Sequence, residues 1–201
     1  MRIGIEINGV LRDTLKKIQQ EYEKWYIDNP FKEETSFKYE VKSDLTSLDI
    51  INHLAFQNED EVYDFIYSDH TMEIFGHSPS TEMNTMNLLN DFYLDMRDEY
   101  EITIVSNEMG KSKPASLFFL SKFGCLVENV KFYSETTINN MWNSIDILLT
   151  ANPQLLLNYP ETKYIIKYET PYNLEIKSEY SISSLKDLKT KIFEIYGKGT
   201  R

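Results

Sequence analysis

One unit recurs along the chain: a short apolar run, rich in β-branched residues, that leads into a helix-compatible segment. "RIGIEI" opens it, and "EITIVS" at 101–106, "VKFYS" at 130–134, "IDILLT" at 145–150 and "KYIIKY" at 163–168 repeat the pattern. Runs that are apolar on both faces suit strands buried on both sides, as in a parallel sheet. Between them, "STEMNTMNLLNDFYLDM" puts Met83, Met86, Leu89, Tyr93 and Met96 at helical spacing, with Ser80 expected as the N-cap. "KPASLFFLSKFG" places Pro114 in a first turn and Gly124 just past the end, the expected start and stop. Strands alternating with helices at this rhythm predict an α/β fold, a three-layer parallel sheet of Rossmann type. Right-handed crossovers then bring every strand's carboxyl end to one edge, where such sheets hold ligands.

Residues 14–79 interrupt the rhythm. Leu11, Leu15, Ile18, Tyr22 and Tyr26 predict an amphipathic helix stopped near Pro30, and "SLDIINHLAF" and "EDEVYDFIYS" predict two more. The chain is therefore expected to comprise an α/β core, 1–13 with 80–201, and a helical cap inserted as 14–79. "YGKGTR" reads as a frayed tail.

With 201 residues and 41% hydrophobic content the chain can build a substantial core. No apolar stretch reaches the ~18 residues of a membrane span, and the N-terminus lacks a signal-peptide pattern. The expectation is a location in the cytoplasm or within a phage particle. The lone Cys125 makes no internal disulfide and suits a small core thiol. A net charge of −11 argues against binding a nucleic acid polymer, and no membrane partner is expected. The acidic stretches "QNEDEVYDF" and "DFYLDMRDEYE" suit solvated helix faces. His53, His70 and His77 lack a metal-ligand spacing and suit packing or surface roles. Trp25, Trp142 and the tyrosines suit core packing, with base stacking or an interface as the alternatives. Only seven glycines, with abundant Asn, Lys, Tyr and Ile, suggest an AT-rich genome such as a phage's.

Three strand ends carry polar residues in a particular order. "IGIEINGVLRD" resembles the first motif of the haloacid dehalogenase superfamily, apolar residues followed by Asp-x-Asp-Gly; "ITIVSN" resembles the second, and "IDILLTANP" the fourth. "ETPYNLEIKSEYSISSLKDL" is similar to the ending of the 5'(3')-deoxyribonucleotidase branch, whose cap also follows the first strand. The resemblance spans nearly the whole chain. It implies a nucleophilic Asp, a second Asp as acid and base, a Ser or Thr and a Lys on the phosphoryl oxygens, and fourth-motif acids holding magnesium.

Carried over residue by residue, that set is depleted. Glu6 stands at the nucleophile position and is one methylene too long, where a misplacement of about 1 Å can cost roughly a hundredfold in rate. Asn8 replaces the acid/base and cannot exchange a proton near neutral pH. Asn140 falls where the lysine belongs, and no Lys or Arg occurs from Phe132 to Thr162. Thr150 and Ala151 replace the metal-holding acids, which leaves a hard divalent ion only Glu6 and Asn8. Ser106 alone is as the family has it. If phosphate binds at all, Ser106, Asn107, Gly9, Lys111 and Lys113 are its candidate partners.

The sequence thus reads as a degenerate nucleotidase-like protein without catalytic residues and without a cofactor. Its expected role is structural or in protein interaction, with protein partners or further copies of itself and with a place in a phage assembly. Two alternatives stay open. One is a nucleotide- or phosphate-binding module of weak affinity; the other is a slow magnesium-dependent phosphatase using Glu6.

Overall fold

The computed structural model describes residues 1–29, 37–42 and 48–199; Pro30, the expected stop of the first helix, and the last two residues of the tail lie outside them. The chain divides into two compact units, one of residues 1–12, 80–108 and 120–201, the other of residues 13–79 and 109–119.

The first unit is built on six parallel strands: β1 (Arg2–Glu6), β2 (Glu101–Asn107), β3 (Asn129–Tyr133), β4 (Ile147–Thr150), β5 (Tyr164–Tyr168) and β6 (Tyr180–Ile182), in the order β3-β2-β1-β4-β5-β6. The first five are the apolar runs of the sequence. The order reverses beside β1, which pairs with β2 on one side and β4 on the other, the point where doubly wound sheets open a crevice. Val105, Leu148 and Ile165 project to one face and share a core with Met141, Trp142, Leu155 and Leu156. These come from the short helices α6 (Ile138–Ser144) and α7 (Pro153–Leu157). Ile104, Ile147, Leu149 and Ile166 alternate with them and are also fully buried, so the sheet is covered on both faces.

Helix α4 (Thr85–Met96) buries Met86, Leu89, Tyr93 and Met96 as its spacing predicts. Its start differs from the expectation. The cap is Asn84, in the left-handed region at φ 63°, a conformation asparagine tolerates better than most residues. Ser80 instead forms a bridge with Arg12. Met83 therefore falls before the helix and is 86% exposed. Helix α8 (Leu188–Gly199) closes the unit and carries the stretch read as the start of a frayed tail.

The second unit is helical: α1 (Thr14–Tyr22), α2 (Ile50–His53), α3 (Glu59–Asp64) and three π-helical turns at Glu23–Ile27, Phe65–Asp69 and Met72–Gly76. Leu11 precedes α1, because Asp13 caps it by accepting from the Lys16 amide. "SLDIINHLAF" yields only the single turn of α2 before Leu54 turns extended. The unit's core is aromatic. The buried Tyr22 packs against Tyr26, Tyr39, Phe56 and Phe65, while its hydroxyl donates to the Glu40 carbonyl at 3.2 Å and accepts from the Ala55 amide at 3.0 Å. His70 is packed between Trp25 and Phe65, and burial lowers its pKa. Helix α5 (Ser112–Lys122) begins in this unit, with Ala115 and Phe119 buried and Gly124 at φ 69° just beyond its end. No helix among the described residues is long and apolar enough to cross a membrane.

Candidate functional site

The carboxyl ends of β1, β2 and β4 bring Glu6, Ser106 and Thr150 to one edge of the sheet. From Ile7 the chain turns tightly: the amides of Leu11 and Arg12 donate to the Ile7 carbonyl at 2.9 and 3.0 Å, and the Gly9 amide donates to the Arg12 carbonyl at 2.8 Å. Gly9 holds this turn at φ 77°, where a side chain is strained. A Cβ there would also lie 2.0 Å from the Tyr172 hydroxyl and 2.8 Å from the Ala151 Cβ. The turn, the end of β4 and the Pro-Tyr-Asn segment are thus in close contact. Asn173 fastens the last two: its amide donates to the carbonyls of Ala151 at 2.9 Å and Tyr168 at 2.8 Å, and its oxygen accepts from the Thr170 amide at 3.0 Å.

Two buried polar clusters fill this edge. In the first, Glu6, only 2% exposed, accepts from the Tyr133 hydroxyl at 2.6 Å and from the Thr150 hydroxyl. Tyr133 ends β3 and reaches Glu6 across β2. Burial pushes the Glu6 carboxyl up to about 7, against the two donated hydrogen bonds, and the charge of Glu108 adds to the rise. Burial and the neighbouring Glu6 push the Tyr133 hydroxyl up as well.

The second cluster centres on Arg12 and Glu108, whose side chains are fully buried and paired at 2.7 Å. The guanidinium also donates to the Asn8 oxygen, from Nη2 at 2.6 Å and Nε at 3.2 Å. The Asn8 amide donates to Ser106 Oγ at 3.3 Å and to Glu108 Oε1 at 3.2 Å, and Ser106 Oγ donates to the same carboxylate oxygen at 3.1 Å. Glu108 Oε1 thereby gathers three donors.

The structure joins Glu6 with Thr150 and Asn8 with Ser106, as the strand ends predict. Asn140 is instead exposed in the first turn of α6. Ala151 is buried and offers no side-chain oxygen, Asn107 is exposed at the end of β2, and Lys111 and Lys113 are exposed in the second unit. Sequence reasoning missed Arg12, Glu108, Tyr133 and Tyr172. Two signals were available: Arg12 stands four residues after Asn8, and Glu108 two after Ser106.

No protein-family model matches the chain, and no curated protein matches it in sequence. Solved structures do resemble it in three dimensions. A haloacid dehalogenase-like family hydrolase from Streptococcus pneumoniae matches with TM-score 0.62 at 10% identity, over 96% of this chain and 98% of that one. A haloacid dehalogenase-like hydrolase from Burkholderia xenovorans LB400 matches with TM-score 0.58 at 9% identity, over 96% of each. A dehalogenase captured with an intermediate matches with TM-score 0.54 at 11% identity, over 94% of this chain and 95% of that one. Likeness at these identities speaks for architecture alone, and on it the chain has the haloacid dehalogenase-like Rossmannoid fold.

Proposed function

We propose that this protein keeps a phosphotransferase fold without its chemistry, and that it serves as a non-hydrolytic block making contacts with other proteins or with further copies of itself. The observation that carries the reading is the state of Ser106. The hydroxyl that the family resemblance assigns to a phosphoryl oxygen is fully buried and donates to Glu108, inside a cluster neutralised by Arg12. A phosphoryl group could engage it only by breaking its buried hydrogen bonds to Glu108 and Asn8, which leaves polar atoms unmet at a cost of about 1–3 kcal/mol each.

The nucleophile position fails independently. Both Glu6 oxygens accept hydrogen bonds from within the protein, from Tyr133 and Thr150, and a magnesium ion would have to displace them. Thr150 and Ala151 add no charged oxygen, and no group of three or more His, Cys, Asp or Glu among the described residues is arranged to hold a metal. The donor set does not fit magnesium, and we derive no step through it. The contact role draws support from α5, which leaves Leu117 and Phe118 exposed although the helix also buries Ala115 and Phe119.

The deciding experiment is an assay of the purified protein with millimolar magnesium on deoxynucleoside monophosphates and an aryl phosphate. No turnover above a Ser106→Ala control is expected. Magnesium-dependent hydrolysis that disappears in Glu6→Gln would replace this reading with that of a slow phosphatase.

A further inference from the structure

At the amino end of the sheet, the opposite edge from Glu6, the starts of β5 and β6 border a cavity of about 310 Å³. Tyr159, Tyr164 and Tyr180 line it together with Glu161, Glu179 and Lys163. The Tyr164 and Tyr180 rings stand nearly perpendicular, at 76°, with centroids 6.5 Å apart. The single ammonium is already engaged: Lys163 Nζ donates to the Ile145 carbonyl at 2.6 Å and lies 3.6 Å from Asp146. Asp146 also pairs with Arg2 at 2.7 Å, and that bond holds its carboxyl down at about 2.

We infer that this cavity is a binding site for an alkylammonium head group, held against the Tyr164 and Tyr180 rings and faced by the carboxylates of Glu161 and Glu179. A cation lodged between rings 6.5 Å apart lies within the ~6 Å over which a ring quadrupole attracts it. An anion would meet two carboxylates on a chain of net charge −11. A neutral ligand would gain from the ring surface but not from the charges. The cavity is at the small end of ligand sites, typically about 300–1,000 Å³, so it suits one head group better than a nucleotide. A free quaternary amine and a lysine side chain of another protein share this chemistry. The inference does not depend on the loss of hydrolysis at the other edge.

The test is titration of the full chain followed by amide chemical shifts, with choline, with Nα-acetyl-lysine methylamide, and with 3,3-dimethylbutan-1-ol, the neutral isostere of choline. A charged probe should shift the amides of Tyr159, Glu161, Lys163, Tyr164, Glu179 and Tyr180, and the neutral isostere should bind at least about tenfold more weakly. The tighter of the two charged probes assigns the source, free amine or protein side chain. Tyr164→Phe should keep binding, Tyr164→Leu should lose it, and Glu161→Gln with Glu179→Gln should weaken it about fivefold. Equal binding of the neutral isostere, no shifts up to roughly 50 mM, or undiminished binding by Tyr164→Leu with a native spectrum would overturn the assignment.

Discussion

Arg12 and Glu108, 96 residues apart, form an ion pair at 2.7 Å with both side chains at 0% exposure. Taking two charges out of water is offset only where every remaining donor and acceptor is met. Here Asn8 and Ser106 meet part of that requirement, both donating to Glu108 Oε1 while the Asn8 oxygen accepts from Arg12. Breaking the pair from one side leaves a buried charge, so Arg12→Met should destabilise the protein by about 3–5 kcal/mol. Replacing both, Arg12→Met with Glu108→Leu, should recover much of that loss. Urea unfolding of the two singles and the double measures the coupling; simple additivity would show that the pair does not hold the edge together.

Glu6 makes stability depend on pH in an uncommon direction. Its carboxyl is raised from 4.5 to about 7 in the folded chain, so between those values the native state holds a proton that the unfolded state has released. Stability then falls as pH rises through this window, by about 3 kcal/mol in order of magnitude. Glu6→Gln removes the titrating group and keeps a shape that Tyr133 and Thr150 can still bond. Relative to wild type, the variant should gain stability from pH 5 to pH 8. Parallel urea midpoints for the two proteins would sink the assignment.

The strands were legible because burial on both faces leaves a compositional mark, and the edge where Glu6, Ser106 and Thr150 gather followed from chain order alone. The start of α4 was not. Ser80 is a good capping residue, but Arg12 engages its backbone in a bridge, and the helix begins after a left-handed Asn84 that no spacing rule identifies. The filling of the site was hidden for a similar reason. A fully buried arginine and glutamate look like surface residues in sequence, and their pairing depends on two loops that only the sheet brings together. Tyr133 was read as strand core; its ring is buried, but its hydroxyl contact with Glu6 depends on strand order.

Gly9 offers a test of how tightly the edge is closed. A methyl group there would suffer both φ 77° and the Ala151 Cβ at 2.8 Å, while the Tyr172 hydroxyl at 2.0 Å would have to swing away. Gly9→Ala should therefore destabilise by about 2 kcal/mol or more. Tyr172→Phe removes one of those contacts and leaves the others, so the double variant should be about 1 kcal/mol more stable than the sum of the singles predicts. Additive losses would mean that Tyr172 does not press on the turn.

The last prediction concerns nucleotides. On charge alone, Glu6 would repel a phosphate dianion, and Glu6→Gln would relieve it. The structure weakens that argument, because a carboxyl titrating near 7 is partly neutral at neutral pH. On the proposed reading the obstacle is instead the filling of the edge: Glu6 at 2% exposure, Ser106 at 0%, and the Gly9 amide committed to the Arg12 carbonyl. Removing one charge opens none of these. Calorimetry with deoxynucleoside monophosphates, with and without magnesium, should give dissociation constants weaker than about 1 mM for wild type and Glu6→Gln alike. Micromolar binding by wild type would make the protein a nucleotide sensor. Micromolar binding by Glu6→Gln alone would return the exclusion to charge and show that the edge opens.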